Sequence, residues 1–362
     1  MEGAAEERLC AEFRSITGAD RGLAKRYLGR AAWDLQHALN TYFEGDTDPG
    51  SSVASAMQPP PVEVLDVSSD LEVIEENSLP PNLHSASGGD EGSLSLLCWN
   101  LDGLMEEQIQ LRARGACNII ALHSPDVVYL QELVPPYLGY LQQRATSYHI
   151  IPADEQGYFT AVMLKKSRVR LISHEVIPFP TSVMGRNLLA VRAEVSGVPL
   201  YLLTSHLEST VSHTKERVRQ LQQVLQRMAL APSNATTIFG GDTNLRDKEV
   251  SQIGGLPPGV GDVWELLGRP EETRYTWDTT LNDNLKLGGA RSSRLRFDRL
   301  FYQQPLTARS PGPSSLPGGG GGGGVDATVV PRSLRLVGTE RLACGKFPSD
   351  HWGLLAHFDL VL

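Results

Sequence analysis

Cysteine is scarce in this chain: four in 362 residues, at Cys10, Cys98, Cys117 and Cys344, with no CxxC pair among them. That spacing excludes a zinc ribbon and gives no disulfide framework, so reduced thiols of an intracellular protein are the simple expectation. No apolar run approaches the roughly 18 residues of a membrane span. The first ten residues, Met1 to Cys10, lack the basic-then-apolar order of a secretory leader. There is no GxxxxGK[ST] loop for nucleoside triphosphates and no GxSxG elbow for a serine hydrolase. A broad basic field is also missing. The net charge is −9.

That charge is unevenly placed. Residues 1–92 carry 17 acidic and 6 basic side chains, net −11, whereas residues 93–362 carry 25 and 27, net +2. A C-terminal part that grips phosphate must therefore do so by local placement and a metal, not by a general positive surface.

Three stretches differ in texture. Residues 1–44 read as a small three-helix unit with apolar positions at Phe13, Ile16, Leu23, Tyr27 and Leu28, then Leu35, Ala38, Leu39 and Tyr42 at helical spacing. Residues 45–92, rich in Pro, Ser, Gly and acid, read as a disordered linker. Within it, Val62 to Asp70 is β-prone and flanked by acids, suited to adding a strand to a partner's sheet edge. From Ser93 to Leu362, β-rich runs alternate with helical ones. Strands are predicted at Leu94–Trp99, Val127–Leu130, Tyr158–Leu164, Val169–Pro178, Leu188–Val195, Leu200–Ser205, Thr236–Phe239, Leu295–Tyr302 and Gly353–Leu362. Helices are predicted at Met105–His123 and Val211–Leu230. Such an excess of strands argues for stacked sheets covered by helices. Seven glycines, Gly318–Gly324, cannot pack a core and read as a surface loop.

Polar groups recur just past the predicted strands. Asn100 and Asp102 follow the first, Gln131-Glu132 the second, and His206 to Ser209 the sixth. Gly240-Gly241 delivers Asp242 and Asn244, Arg296-Phe297 delivers Asp298, and Ser349 precedes Asp350-His351. Any one is ordinary turn chemistry. Six together mark the end of a sheet where catalytic groups collect. Their oxygen-rich composition suits a hard cation such as Mg2+ rather than zinc, and can place it on a phosphate, orient water and stabilise charge on nonbridging oxygens.

These segments, in this order, resemble the endonuclease/exonuclease/phosphatase superfamily over Ser93 to Leu362. The blocks Glu155–Val169, Ser205–Thr210, Gly240–Asp247, Tyr275–Thr279 and Phe347–Leu355 are similar to its 5′-tyrosyl-DNA phosphodiesterases. The resemblance implies a four-layer α-β-β-α sandwich of the DNase I type, and Mg2+ or Mn2+ as cofactor. It implies hydrolysis of the 5′-phosphotyrosyl bond that a trapped type II topoisomerase leaves on DNA, with 5′-tyrosyl-RNA a further candidate. Glu132 is then the principal metal ligand, with Asp102 and Asn100 nearby. Asp242 orients or deprotonates water with Asn244. His351 stabilises the phosphate, steadied by Asp298, with Asp350 outside. His206 and Ser209 donate to phosphate oxygens, Trp277 and Phe297 form a wall for the DNA end, and Arg246 and Tyr158 flank the entrance. Residues 31–43 resemble the last helix of ubiquitin-associated domains, and Val62–Asp70 is similar to SUMO-interacting motifs. Ubiquitin and SUMO are the implied partners, the nucleus with some cytoplasmic pool the implied location, and no membrane is involved. Two alternatives stay open: another phosphodiesterase of the superfamily, such as an abasic-site endonuclease, or a ubiquitin- and SUMO-binding adaptor with an inert domain.

Overall fold

The computed structural model describes residues 6, 7, 9–11, 13, 14, 21–31, 33, 38, 92–285, 293–306 and 327–361. Val62–Asp70 and Gly318–Gly324 lie outside the described residues, as does most of 31–43. The chain divides into two units, Met1–Ser15 with Ala19–Asp90 and Ile16–Gly18 with Glu91–Leu362.

In the N-terminal unit, helix α1 (Arg21–Arg30) buries Ala24 and Leu28, four residues apart on one face. Phe13, buried completely, stacks on Tyr27 with ring centroids 6.0 Å apart. The chain leaves α1 through Trp33, whose N–H returns to the Leu28 carbonyl at 2.7 Å. Phe13, Leu28 and Ala38 are core residues, as their spacing predicts.

The second unit is two six-stranded sheets face to face. One has the order β13-β14-β1-β2-β4-β3 and the other β5-β6-β7-β8-β12-β9. The first is built from β1 (Ser93–Asn100), β2 (Val127–Leu133), β3 (Tyr148–Pro152), β4 (Phe159–Lys165), β13 (Thr328–Val337) and β14 (Gly353–Val361). The second comprises β5 (Val169–Pro178), β6 (Asn187–Val195), β7 (Val198–Ser205), β8 (Thr236–Asp242), β9 (Val260–Asp262) and β12 (Asp298–Gln303). A ribbon of β10 (Trp277–Asp278) and β11 (Arg294–Leu295) stands apart.

Alternation assigns the side chains to layers. Leu96, Cys98, Val127 and Tyr129 point between the sheets, against Val191, Leu202 and Ile238. Their neighbours Leu97, Trp99, Val128 and Leu130 point outward under helices α2 (Ile109–His123) and α3 (Pro135–Arg144). On the opposite side, Leu203, Phe239 and Phe301 pack under Leu221, Val224 and Met228 of α4 (Thr214–Ala229). Burial on both faces is why the central strands read as unbroken apolar runs. The result is the four-layer α-β-β-α sandwich that the family resemblance implies.

Several expectations change. The segment read as one strand, Leu295–Tyr302, is broken at Arg296-Phe297, because the Phe297 carbonyl accepts from the backbone N–H and hydroxyl of Thr243. Helix α2 starts at Ile109 rather than Met105, and α4 spans Thr214–Ala229. Strand β13 escapes the sequence pattern: it is an edge strand carrying Pro331, with its register shifted between Pro331 and Ser333.

On the outside of the first sheet, Arg335 of β13 lies 3.2 Å from the Nδ1 of His123 at the end of α2. Burial, then Arg335, holds both His123 and His357 of β14 below the ordinary histidine value. The unfolded chain therefore takes up protons at higher pH than the folded one, so stability is full above about pH 6.5 and falls as pH drops through that value. Urea midpoints at about pH 7.5 and about pH 5.5 should fall more in the native protein than in a His123→Gln, His357→Gln double variant. Equal falls would contradict this.

Candidate active site

Strands β1 and β2 run parallel and bring Asn100 beside Gln131, while β8 and β12 pair Asp242 with Asp298 across the second sheet. The polar residues at these strand ends meet between the sheets. Asn100 Nδ2 donates to Glu132 Oε1 and to Asp242 Oδ2, both at 3.0 Å. Its Oδ1 accepts from the Asp102 N–H at 2.9 Å. A register shift between Leu130 and Leu133 turns Glu132 out of the β2 ladder, with φ +55°. Asp102 at +49° and Asn244 at +51° share that left-handed backbone, so three residues of one cluster carry strain. Gly103 follows because a Cβ there would sit on the Glu132 carbonyl oxygen.

His206 Nε2 lies 3.3 Å from Asp242 Oδ2, and Arg186 donates to His206 Nδ1 at 2.9 Å. A guanidinium can only donate, so Nδ1 is the bare nitrogen and Nε2–H faces Asp242. His206 thus offers the cluster a proton rather than a lone pair. His351 approaches the same carboxylate oxygen through Nε2 at 3.7 Å, and its Nδ1 meets Asp298 Oδ2 at 2.8 Å. Burial alone would lower the His351 value, but Asp298, Asp350 and Asp242 outweigh it and hold the imidazole well above its usual range. For Asp242, burial is opposed by His206 and His351, and the carboxyl is held below its usual value.

Two triads bring candidate ligand atoms within 4.8 Å of one another: Glu132, His206 and Asp242, and Asp242, Asp298 and His351. The His206 tautomer leaves the carboxylate oxygens of Glu132 and Asp242 as the donors in the first, a set that can hold a divalent cation. Asp102 stands in neither triad; its Oδ2 meets Arg112 at 3.3 Å. Burial and the neighbouring Asp350 and Glu132 charges nonetheless push Asp102 well up against the pull of Arg112. That excess of acid is what a bound cation would relieve.

Around this centre, Asn244 N–H donates to Asp242 Oδ1 at 2.9 Å, and Asn244 Nδ2 donates to Ser209 Oγ at 3.3 Å. Trp277 Nε1 donates to Asp350 Oδ2 at 3.0 Å, and its ring centroid lies 5.6 Å from that of Phe297. Phe297 is only 8% exposed and carries the Arg246 guanidinium over its face at 5.5 Å, so Trp277 is the aromatic left half-open. Tyr158 lies edge-on to His206.

The profile of the endonuclease/exonuclease/phosphatase family matches residues 97–351. The chain belongs to that family. A UBA-like domain profile matches residues 7–49. The chain is similar to Tyrosyl-DNA phosphodiesterase 2 of Xenopus laevis, with 47% identity over 98% of this chain and 93% of that one. It is 44% identical to the Homo sapiens protein of that name, over 98% and 92%. The crystal structure of D. rerio TDP2 complexed with single strand DNA product superposes with a TM-score of 0.67 and 47% identity, over 74% of this chain and 99% of that one.

One residue of the site escapes the sequence reading. Arg186 is 8% exposed, and its guanidinium lies 4.7 Å over the Tyr158 ring, donating to His206 and to Ser209 Oγ. With Glu132, Tyr158 and Thr160 it lines a pocket beside the cluster. Arg186 precedes its strand, whereas the sequence signal lay at residues following strands.

Close approach of β7 and β8 makes the glycine before Asp242 obligatory: a Cβ on Gly241 would sit on the Ser205 carbonyl oxygen. Gly241→Ala must part the strands that carry His206 and Asp242. It should cost about 1–3 kcal/mol of stability, in the range of overpacking, and most of the activity. A thermal melt and a rate assay check this; a variant with native melting and rate would contradict it.

Proposed function

We propose that the chain hydrolyses the phosphodiester joining a tyrosine hydroxyl to the 5′ phosphate of DNA, the linkage that a trapped type II topoisomerase leaves. Near-full-length similarity to Tyrosyl-DNA phosphodiesterase 2 carries the substrate assignment. The cluster around Asp242 supplies a matching chemistry.

Glu132, with Asp102 in support, would hold Mg2+ or Mn2+, which would supply charge neutralisation at the scissile phosphate when bound. Asp242, kept ionised by its two imidazole neighbours, accepts from the attacking water and aims it, with Asn100 and Asn244 fixing the carboxylate. His351, steadied through Nδ1 by Asp298, donates from Nε2 to a nonbridging oxygen as negative charge builds there. Ser209 and Arg186 bind the phosphate and the aryl side, and His206 links them to Asp242. Trp277 supports the adjacent nucleotide by stacking, which tolerates any base. No dedicated acid is required for departure, because a phenol of pKa about 10 leaves far more readily than a sugar hydroxyl. The UBA-like segment is assigned to ubiquitin and Val62–Asp70 to SUMO. A substrate on DNA ends supports a nuclear location, with some cytoplasmic pool.

The test uses purified protein and oligonucleotides bearing tyrosine at the 5′ or the 3′ end. Cleavage should be confined to the 5′ adduct, stop with chelator, and fall at least about a hundredfold in Glu132→Gln. Equal cleavage of both ends, or rapid cutting of an unmodified strand, would favour a general or abasic-site nuclease instead.

A further inference from the structure

In the segment Ser205–Ser209, His206 and Ser209 bond to Arg186, but Glu208 between them turns the other way and is completely buried. Its carboxylate meets the loop joining β5 to β6. Glu208 Oε1 accepts from the backbone N–H of Val183 at 2.8 Å and of Met184 at 3.1 Å. Oε2 accepts from Ser182 Oγ at 2.9 Å and from Gln220 Nε2 of α4 at 2.8 Å. Gln220 Oε1 in turn accepts from the Glu208 N–H at 2.9 Å, so α4 grips Glu208 at both backbone and side chain.

The chain of bonds runs on to Arg186. Having donated its proton to Glu208, Ser182 Oγ accepts from the Arg186 N–H at 2.8 Å. Gly185, immediately before Arg186, has φ +65° and open space around it, a backbone free to pivot unless it is tied. Four donors converging on one side chain need a group that only accepts, and an ionised carboxylate is the one that fits.

We propose that Glu208 is a positioning residue for Arg186: through Ser182 Oγ it fixes the loop so that the guanidinium sits between Tyr158, His206 and Ser209. This rests on the substrate-binding role given to Arg186 above. One segment then serves both sides of the site, with His206 and Ser209 receiving the guanidinium and Glu208 delivering it.

The test is a double-mutant cycle on kcat and KM with a 5′-tyrosyl oligonucleotide, each variant's folding checked by its melting temperature. Arg186→Ala should lower kcat/KM about a hundredfold. Glu208→Gln should lower it about tenfold, and in the Arg186→Ala background it should lower it no further. Ser182→Ala, which removes only the hydroxyl hub, should show the same non-additivity and serves if Glu208→Gln does not fold. A Glu208 or Ser182 effect that persists undiminished without Arg186 is that of a general structural staple and would overturn the proposal. So would a native rate in both variants beside an impaired Arg186→Ala. A native rate in Arg186→Ala itself would overturn the role of Arg186 and this inference with it, while leaving cation-dependent 5′ cleavage by the native protein intact.

Discussion

The two protons of one side-chain amide join the sheets at their functional end. Asn100, on β1 of the first sheet, gives one to Glu132 on its own sheet and the other to Asp242 on the second. Both carboxylates are acceptors only, and both sit where the apolar interior gives way to the loops. Without that amide, two negative charges would face each other across the gap between sheets without the group that donates to both. The aliphatic layer beneath, from Leu96 to Ile238, fixes how closely the strands approach. The glycine at 241 and the backbone turn at Glu132 adjust the last ångström. The geometry of the site is thus a consequence of core packing carried outward by a few hydrogen bonds.

Charge is the second organising constraint. Asp102, Glu132, Asp242, Asp298 and Asp350 crowd one region, and the protein answers with His351, His206 and the buried cation Arg112. The answer is partial, which suits a site that completes its balance with a divalent cation and an incoming phosphate. An imidazolium is held ready by Asp298 where negative charge develops, so little reorganisation accompanies the reaction. That arrangement is economical for an aryl leaving group and poor for an alkoxide. For the proposed reaction, preference for tyrosyl ends over ordinary DNA linkages would then come from leaving-group chemistry.

Much of this was legible in the sequence because the functional groups follow apolar strands. Asn100, Glu132, His206 and Asp242 stand at or just past the ends of apolar strands, Asp298 opens β12 and His351 precedes β14, and hydrogen bonds and close contacts link them into one cluster. Arg186 was not legible, since it lies in the loop joining β5 to β6, which a carboxylate distant in sequence folds. Phe297, expected to share a wall with Trp277, is covered by Arg246 and Trp277, a tertiary fact with no local signature. Strand β13 was hidden by Pro331, and the turn of Glu132 out of its ladder by a register shift that no periodicity announces.

Asn100, Asn244, His206 and His351 all address the Asp242 carboxylate. Asp242→Asn keeps its size but loses its charge, and it puts an amide against donors. The decisive measurement is the single-turnover rate of this variant on a 5′-tyrosyl oligonucleotide with saturating Mg2+, beside its melting temperature. A fall of about a thousandfold or more with the fold retained is what the geometry predicts. A folded variant within about tenfold of the native rate would contradict it, because a carboxylate at that position would then not be needed to aim the water.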